Sequence, residues 1–171
     1  MPRLQVRIIP DKILRVPAVA VSSFDSDIEK FVADMWETMY ISNGIGLAAP
    51  QVGVSKQVVV IDLAEEGNQK LTLINPVIVG KSGKIKSEEG CLSIPQFRES
   101  IPRAKVIKVS AQTLSGEKFE LEADGLLSRC IQHEIDHLNG ILFVDHLSRL
   151  KREIFRRWLS NNPEYDESAT A

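Results

Sequence analysis

The sequence predicts an α+β fold: mostly antiparallel strands packed around a central helix, with one helix before the strands and one at the C-terminal end. Three observations carry this expectation. Apolar residues recur with a 3.6-residue period near the start of the chain and again over its last third. The stretch between them consists of short β-branched runs bounded by turn residues. Those runs are mostly spaced as hairpins, which argues against a parallel βαβ array.

The first helix is read over 22–40, where Ile28, Phe31, Val32, Met35, Trp36, Met39 and Tyr40 form one apolar stripe. Ser23 or Asp25 can cap its start, and Asn43-Gly44 can end it. β-Branched strands follow at 57–62 and 71–75, separated by a polar turn at 65–69. Further strands are expected around 77–79, 83–87, 105–113 and 117–122, with Ser115-Gly116 turning the last pair. The central helix covers about 124–139 and the last helix about 147–159. Residues 1–160 are thus expected to form one domain, and 161–171 a flexible polar tail.

A chain of 171 residues can bury a core without staples. Its formal net charge of −2 gives no global case for nucleic acid, so any such case must come from local clusters. No stretch is long and apolar enough for a membrane span, and the first ten residues lack the pattern of a targeting segment. A cytoplasmic location is expected, where Cys91 and Cys130 stay reduced.

The chemistry points to one place. His133, Glu134 and His137 form an H-E-x-x-H motif inside the apolar-periodic run of the central helix. Residues four apart share a helix face, so both imidazoles can hold one ion, while Glu134 can reach a water on that ion without being a ligand. A catalytic site of this kind needs a third protein ligand. The pattern H-E-x-x-H-x-x-G-x-x-H holds as far as Gly140 and then has Phe143 where the last histidine belongs. His146 comes three residues late, and Glu153 lies on another expected helix. Upstream, Cys91 follows Gly90 and offers a thiolate that would complete a Cys-His-His set with one position open.

Three segments, Gly44-Ile-Gly-Leu-Ala-Ala-Pro-Gln51, Glu89-Gly-Cys-Leu-Ser93 and Gln132-His-Glu-Ile-Asp-His-Leu138, together resemble the signature motifs of the bacterial peptide deformylases, in the family's order. The resemblance implies a metal-dependent hydrolase that removes the formyl group from N-formylmethionyl nascent peptides and releases formate. It implies that Cys91, His133 and His137 hold the metal and that Glu134 handles the proton. The side-chain amide of Gln51 and the backbone N–H of Leu92 are implied as donors to the developing negative oxygen. Gly44, Ile45 and Gly46 would offer slim backbone for an extended peptide to pair with, facing a wall that includes Glu89 and Gly90. Ile45, Leu126, Cys130 and His133 would line a pocket for the methionine side chain, with Arg129 at its rim. Arg98 is a candidate contact for the peptide beyond methionine, or else a surface ion pair. Chemistry alone suits Zn(2+); the resemblance favours ferrous iron, Fe(2+), with Ni(2+) or Zn(2+) as substitutes.

Two rival readings share the motif: an endopeptidase, and a structural zinc site with Cys130 as fourth ligand. The last helix carries Arg149, Lys151, Arg152, Arg156 and Arg157, which form either a solvated face or a surface that docks on ribosomal RNA.

Overall fold

In the computed structural model, which describes residues 4–65 and 70–167, helices α1 (Ser26–Ile41), α2 (Gly125–Leu138) and α3 (Arg149–Asn161) stand where the apolar period put them. Asp25 caps α1, accepting from the N–H groups of Asp27 and Ile28. Asn43, in the left-handed region at φ 58°, turns the chain at its other end. Seven strands lie between and around the helices: β1 (Gly46–Ala48), β2 (Val58–Ile61), β3 (Leu71–Ser82), β4 (Ile85–Cys91), β5 (Ile94–Arg103), β6 (Val106–Gln112) and β7 (Lys118–Asp124). Every pairing among them is antiparallel, giving a five-stranded sheet in the order β1-β2-β3-β6-β7 and a separate β4-β5 hairpin. The polar turn expected at 65–69 lies mostly outside the described residues.

The large sheet carries a helix on each face. Val58 and Val60 point into the cluster under α1, with Val32, Met35 and Met39. Val59 and Ile61 point the other way, onto Ile131, Ile135 and Leu138 of α2. A strand buried on both faces has no polar side, which is why β2 reads as an unbroken Val-Val-Val-Ile run. A third cluster joins the hairpin residues Ile94, Phe97 and Ile101 to Leu14, Phe143 and Leu147. The hairpin therefore lies against the segment that follows α2, and α2 sits between the sheet and the hairpin.

Two strand expectations need correction. The runs at 71–75 and 77–79 are one strand, β3, which passes Pro76 by a register shift between Ile74 and Val77 with Asn75 at φ 51°. Proline cannot donate to the ladder, and the irregularity absorbs it. The whole of β5 was absent from the expectation because Pro95 and Pro102 interrupt its pattern; in a two-stranded hairpin each strand keeps an open edge where proline is tolerated. Beyond residue 160, Pro163–Tyr165 form a short 3-10 turn, and the Tyr165 ring stacks on Trp158 with centroids 5.4 Å apart. Among the described residues no helix is long and apolar enough to cross a membrane.

Candidate metal centre

The end of β4 and the middle of α2 meet at one point. Cys91, His133 and His137 each present a ligand atom, and the three atoms lie within 4.8 Å of one another. The Cys91 thiol sulfur is 3.3 Å from His137 Nε2. Among the described residues this set includes Cys91 and excludes the three alternatives that spacing left open. Phe143 packs its ring on His133, centroids 6.1 Å apart, where the downstream histidine of the other pattern would stand. His146 Nε2 donates to the Asp136 carboxylate at 2.8 Å, and Glu153 pairs with Arg156. Cys130 is buried; burial and the nearby Glu134 push its thiol well above the ordinary range, so it stays neutral.

The donor set fits a divalent ion. A soft sulfur and two imidazole nitrogens converge at a spacing that one tetrahedral ion can bridge. Two buried polar atoms beside them have no hydrogen-bond partner: Glu134 Oε2 and His137 Nδ1. Burial pushes the Glu134 carboxyl up to about 7, against the pull of His133. Burial also lowers His133, yet its contacts with Cys91 and Glu89 outweigh this and hold it well above its usual value. Burial, then the neighbouring His133, drive His137 well below its own. A cluster this eager to hold a proton on one ring releases it when a cation takes the same place.

Behind the three candidate ligands runs a buried ionic chain that sequence reasoning missed. His133 Nδ1 meets Glu89 Oε1 at 2.9 Å. Arg103 forks onto the same carboxylate at 2.9 and 3.0 Å and reaches Asp136 with its third nitrogen at 2.5 Å. Burial raises the Glu89 carboxyl, but the hydrogen bonds from His133 and Arg103 prevail and bring it down to about 2. Glu89, expected as groove wall, lines the cavity but spends its carboxylate inward on His133 and Arg103. Period two explains this: Ile85, Ser87 and Glu89 share the inward face of β4, and Lys86 and Glu88 the outward one.

Gln51 is held on the other side of the thiol. Its Oε1 accepts from the Ala48 N–H at 2.9 Å, and its Nε2 lies 3.2 Å from Ser93 Oγ and 3.5 Å from the Cys91 sulfur. A cavity of about 440 Å³ opens over the centre and brings together Gly44, Ile45, Gly46, Gln51, Glu89, Gly90, Cys91, Leu92, Arg98, Leu126, Arg129, Cys130, His133 and Glu134. His137 lies behind, almost wholly buried. The glycines have a tighter purpose than the slim edge expected of them. A Cβ on Gly46 would stand 2.9 Å from Glu134 Oε1 and 3.0 Å from the Cys130 sulfur, and one on Gly44 would stand 2.9 Å from Leu92. At the rim, Arg129 donates to Ser87 Oγ at 2.6 Å, and Arg98 makes the surface ion pair, with Glu88 at 2.8 Å.

The polypeptide deformylase family model matches residues 3–153. The chain belongs to that family. Solved peptide deformylases agree over nearly the whole length. The enzyme from Legionella pneumophila is 42% identical, with a TM-score of 0.88 over 95% of this chain and 96% of its own. That from Synechococcus elongatus, solved with actinonin, is 42% identical with a TM-score of 0.90 over 99% and 92%. The Plasmodium falciparum enzyme is 37% identical, with a TM-score of 0.86 over 92% and 94%. As a deformylase, the chain is a metal-dependent hydrolase that removes the N-formyl group from newly made polypeptides.

Proposed function

We propose that Cys91, His133 and His137 hold one divalent ion, that Glu134 carries the proton, and that Gln51 and the Leu92 N–H receive the developing negative oxygen. The observation that carries this reading is the convergence of the sulfur and the two imidazoles beside the unpartnered Glu134 Oε2. When bound, the ion supplies Lewis acidity to the formyl oxygen and acidifies a water. Glu134, with its carboxyl raised to about 7, is poised near neutral pH to take the proton from the attacking water. The new bond joins the water oxygen to the formyl carbon. As the carbon–nitrogen bond breaks, Glu134 returns the proton to the departing amine, leaving formate and a free methionine N-terminus.

Gln51 is oriented for its part before substrate arrives, because its oxygen is tied to Ala48 and its NH2 faces Ser93 and Cys91. Such pre-aimed donors stabilise charge that appears only in the transition state. Gln51→Ala is expected to lower kcat by roughly 10²-fold or more with little change in KM. Steady-state formate release from a formyl-Met tripeptide measures it, and an effect confined to KM would remove Gln51 from this role.

Ile45, Leu126, Cys130 and the His133 ring line the cavity as the pocket for the methionine side chain. The backbone of Gly44, Ile45 and Gly46 on one side, and of Glu89 and Gly90 on the other, would pair with an extended peptide through groups every substrate shares. Arg98 would leave Glu88 to meet the peptide beyond methionine, and the stem of Arg129 would cover the pocket edge.

We infer Fe(2+) as the resident ion, with Ni(2+) or Zn(2+) able to replace it, and the cytoplasm as the place of action. Iron beside a thiolate oxidises readily, so anaerobically prepared protein should lose activity on exposure to air. If protein purified in air, with its iron content measured, keeps full iron-dependent activity for hours, another metal is resident.

Docking of α3 on ribosomal RNA is the finer reading of the partners. Lys151 donates to the Ser100 carbonyl at 2.9 Å, the exposed Arg152 donates to the Leu147 carbonyl just before its own helix at 3.1 Å, and Arg156 pairs with Glu153. Arg149 and Arg157 are exposed and, among the described residues, have no carboxylate partner. Deleting residues after Leu147 should abolish low-salt co-sedimentation with ribosomes. Unchanged co-sedimentation ends the idea.

A further inference from the structure

We propose that a second cleft, between the outward face of the β4–β5 hairpin and the start of α3, binds phosphate-type oxyanions. The hairpin's two-residue period sets Lys86 on its outward face, opposite Pro102, while Ser100 lies opposite the outward Glu88. Lys84, just before the strand, has the same parity. His146, Ser148 and Lys151 close the other side. Together with Lys84, Lys86 and Ser100 they line a cavity of about 460 Å³ that shares no residue with the metal centre's cavity. The wall is fixed, because Lys151 Nζ donates across it to the Ser100 carbonyl at 2.9 Å.

No carboxylate lines this space. Each carboxylate around it is already matched: Glu88 with Arg98 at 2.8 Å, Glu99 with Lys151 at 3.3 Å, Asp136 with Arg103 at 2.5 Å, and Asp145 with Arg15 at 2.6 Å. Among the described residues, neither Lys84 nor Lys86 has a carboxylate partner. The two unpaired ammonium groups of Lys84 and Lys86 thus share one concave surface with Lys151, whose own charge is met by Glu99 at 3.3 Å. Concave surfaces of one sign focus the field on counter-ions. Ammonium groups act as point charges toward phosphate, and the hydroxyls of Ser100 and Ser148 add donors in the same space.

A water occupies about 30 Å³, so the cleft has room for one phosphate group together with several waters. The shared chemistry is the phosphate oxygen, which free phosphate and an RNA backbone both present. The inference does not depend on α3 docking, since Lys84 and Lys86 come from the hairpin.

The test is amide-shift NMR on zinc-loaded, full-length protein at low ionic strength, titrated with inorganic phosphate and separately with a short oligouridylate. Saturable shifts centred on Lys84, Lys86, Ser100 and Ser148 are expected, with affinity reduced about tenfold or more in Lys84→Glu/Lys86→Glu. If RNA is the source, the oligouridylate binds more tightly than phosphate and competes with it, and its affinity falls steeply with salt. If the free anion is the source, phosphate saturates the same amides and the oligouridylate leaves them in place. Shifts from both probes that never saturate, that centre elsewhere, or that survive the double substitution overturn the proposal. Both lysines are exposed, so the variant's fold can be verified by its spectrum before binding is read.

Discussion

Glu134→Gln is expected to reduce formate release by about 10³-fold while the protein still binds one ion. The substitution keeps the shape of the side chain and removes only its capacity to take a proton, and positioned acid–base groups typically contribute 10²- to 10⁴-fold. The same variant should be more stable than the parent once metal is removed. The Glu134 carboxyl is raised from 4.5 to about 7 by burial, so its ionised form opposes the fold. A raised carboxyl favours folding fully below about pH 4.5, and that contribution is lost as pH rises through about 7. Near pH 8 the ionised group therefore costs about 3 kcal/mol, a cost that glutamine does not carry. Chemical denaturation of the metal-free proteins at about pH 8 and pH 4 checks this: the gap should be present at the higher pH and vanish at the lower. A variant that loses activity yet shows no gain near pH 8 would mean that burial does not set the carboxyl's proton affinity.

The second large effect is expected at Arg103. Its side chain is 4% exposed, and it is the cation shared by Glu89 and Asp136. Arg103→Leu removes the cation that Glu89 and Asp136 share and leaves each with only its histidine neighbour, and breaking a buried pair from one side costs about 3–5 kcal/mol. Glu89 also fixes the orientation of the His133 ring, so metal affinity should fall by about 10- to 100-fold. Arg103→Lys keeps the charge but loses the fork, and should fall between the two. Denaturant midpoints and competitive metal titration measure the two losses separately. An Arg103→Leu protein that unfolds at the parent's midpoint would show the ionic chain to be neutral in stability.

The parts of this molecule that could be read from the sequence are those governed by local periods. Helices α1, α2 and α3 follow from stripes such as Ile28–Val32–Met35–Met39, and the start of α1 from the Asp25 side chain; the Ser148 cap of α3 is seen only in the structure. The H-E-x-x-H face and its approach by Cys91 were equally accessible, because motif order carries them. The chain from Glu89 through Arg103 and Asp136 to His146 was not. It joins β4, β5, α2 and the 143–146 turn, and no spacing in the sequence encodes such a meeting. Glu88 and Glu89 show the difficulty in miniature: one residue of register decides which carboxylate faces the interior. The register of β4 could not be set while Pro95 and Pro102 hid its partner strand.

The proposed ligands come from two separate pieces of the fold, the tip of a two-stranded hairpin and a helix seated on the main sheet. An isolated hairpin is marginal in water, so this one borrows its order from what it rests on. Loading the centre therefore acts as a removable staple between hairpin and helix, strengthening the fold in proportion to the logarithm of free metal over its dissociation constant. A cell that starves this enzyme of metal loses more than the reaction. On the proposed reading of the groove, one of its banks would loosen as well, so scarcity of the ion would weaken substrate capture and catalysis together.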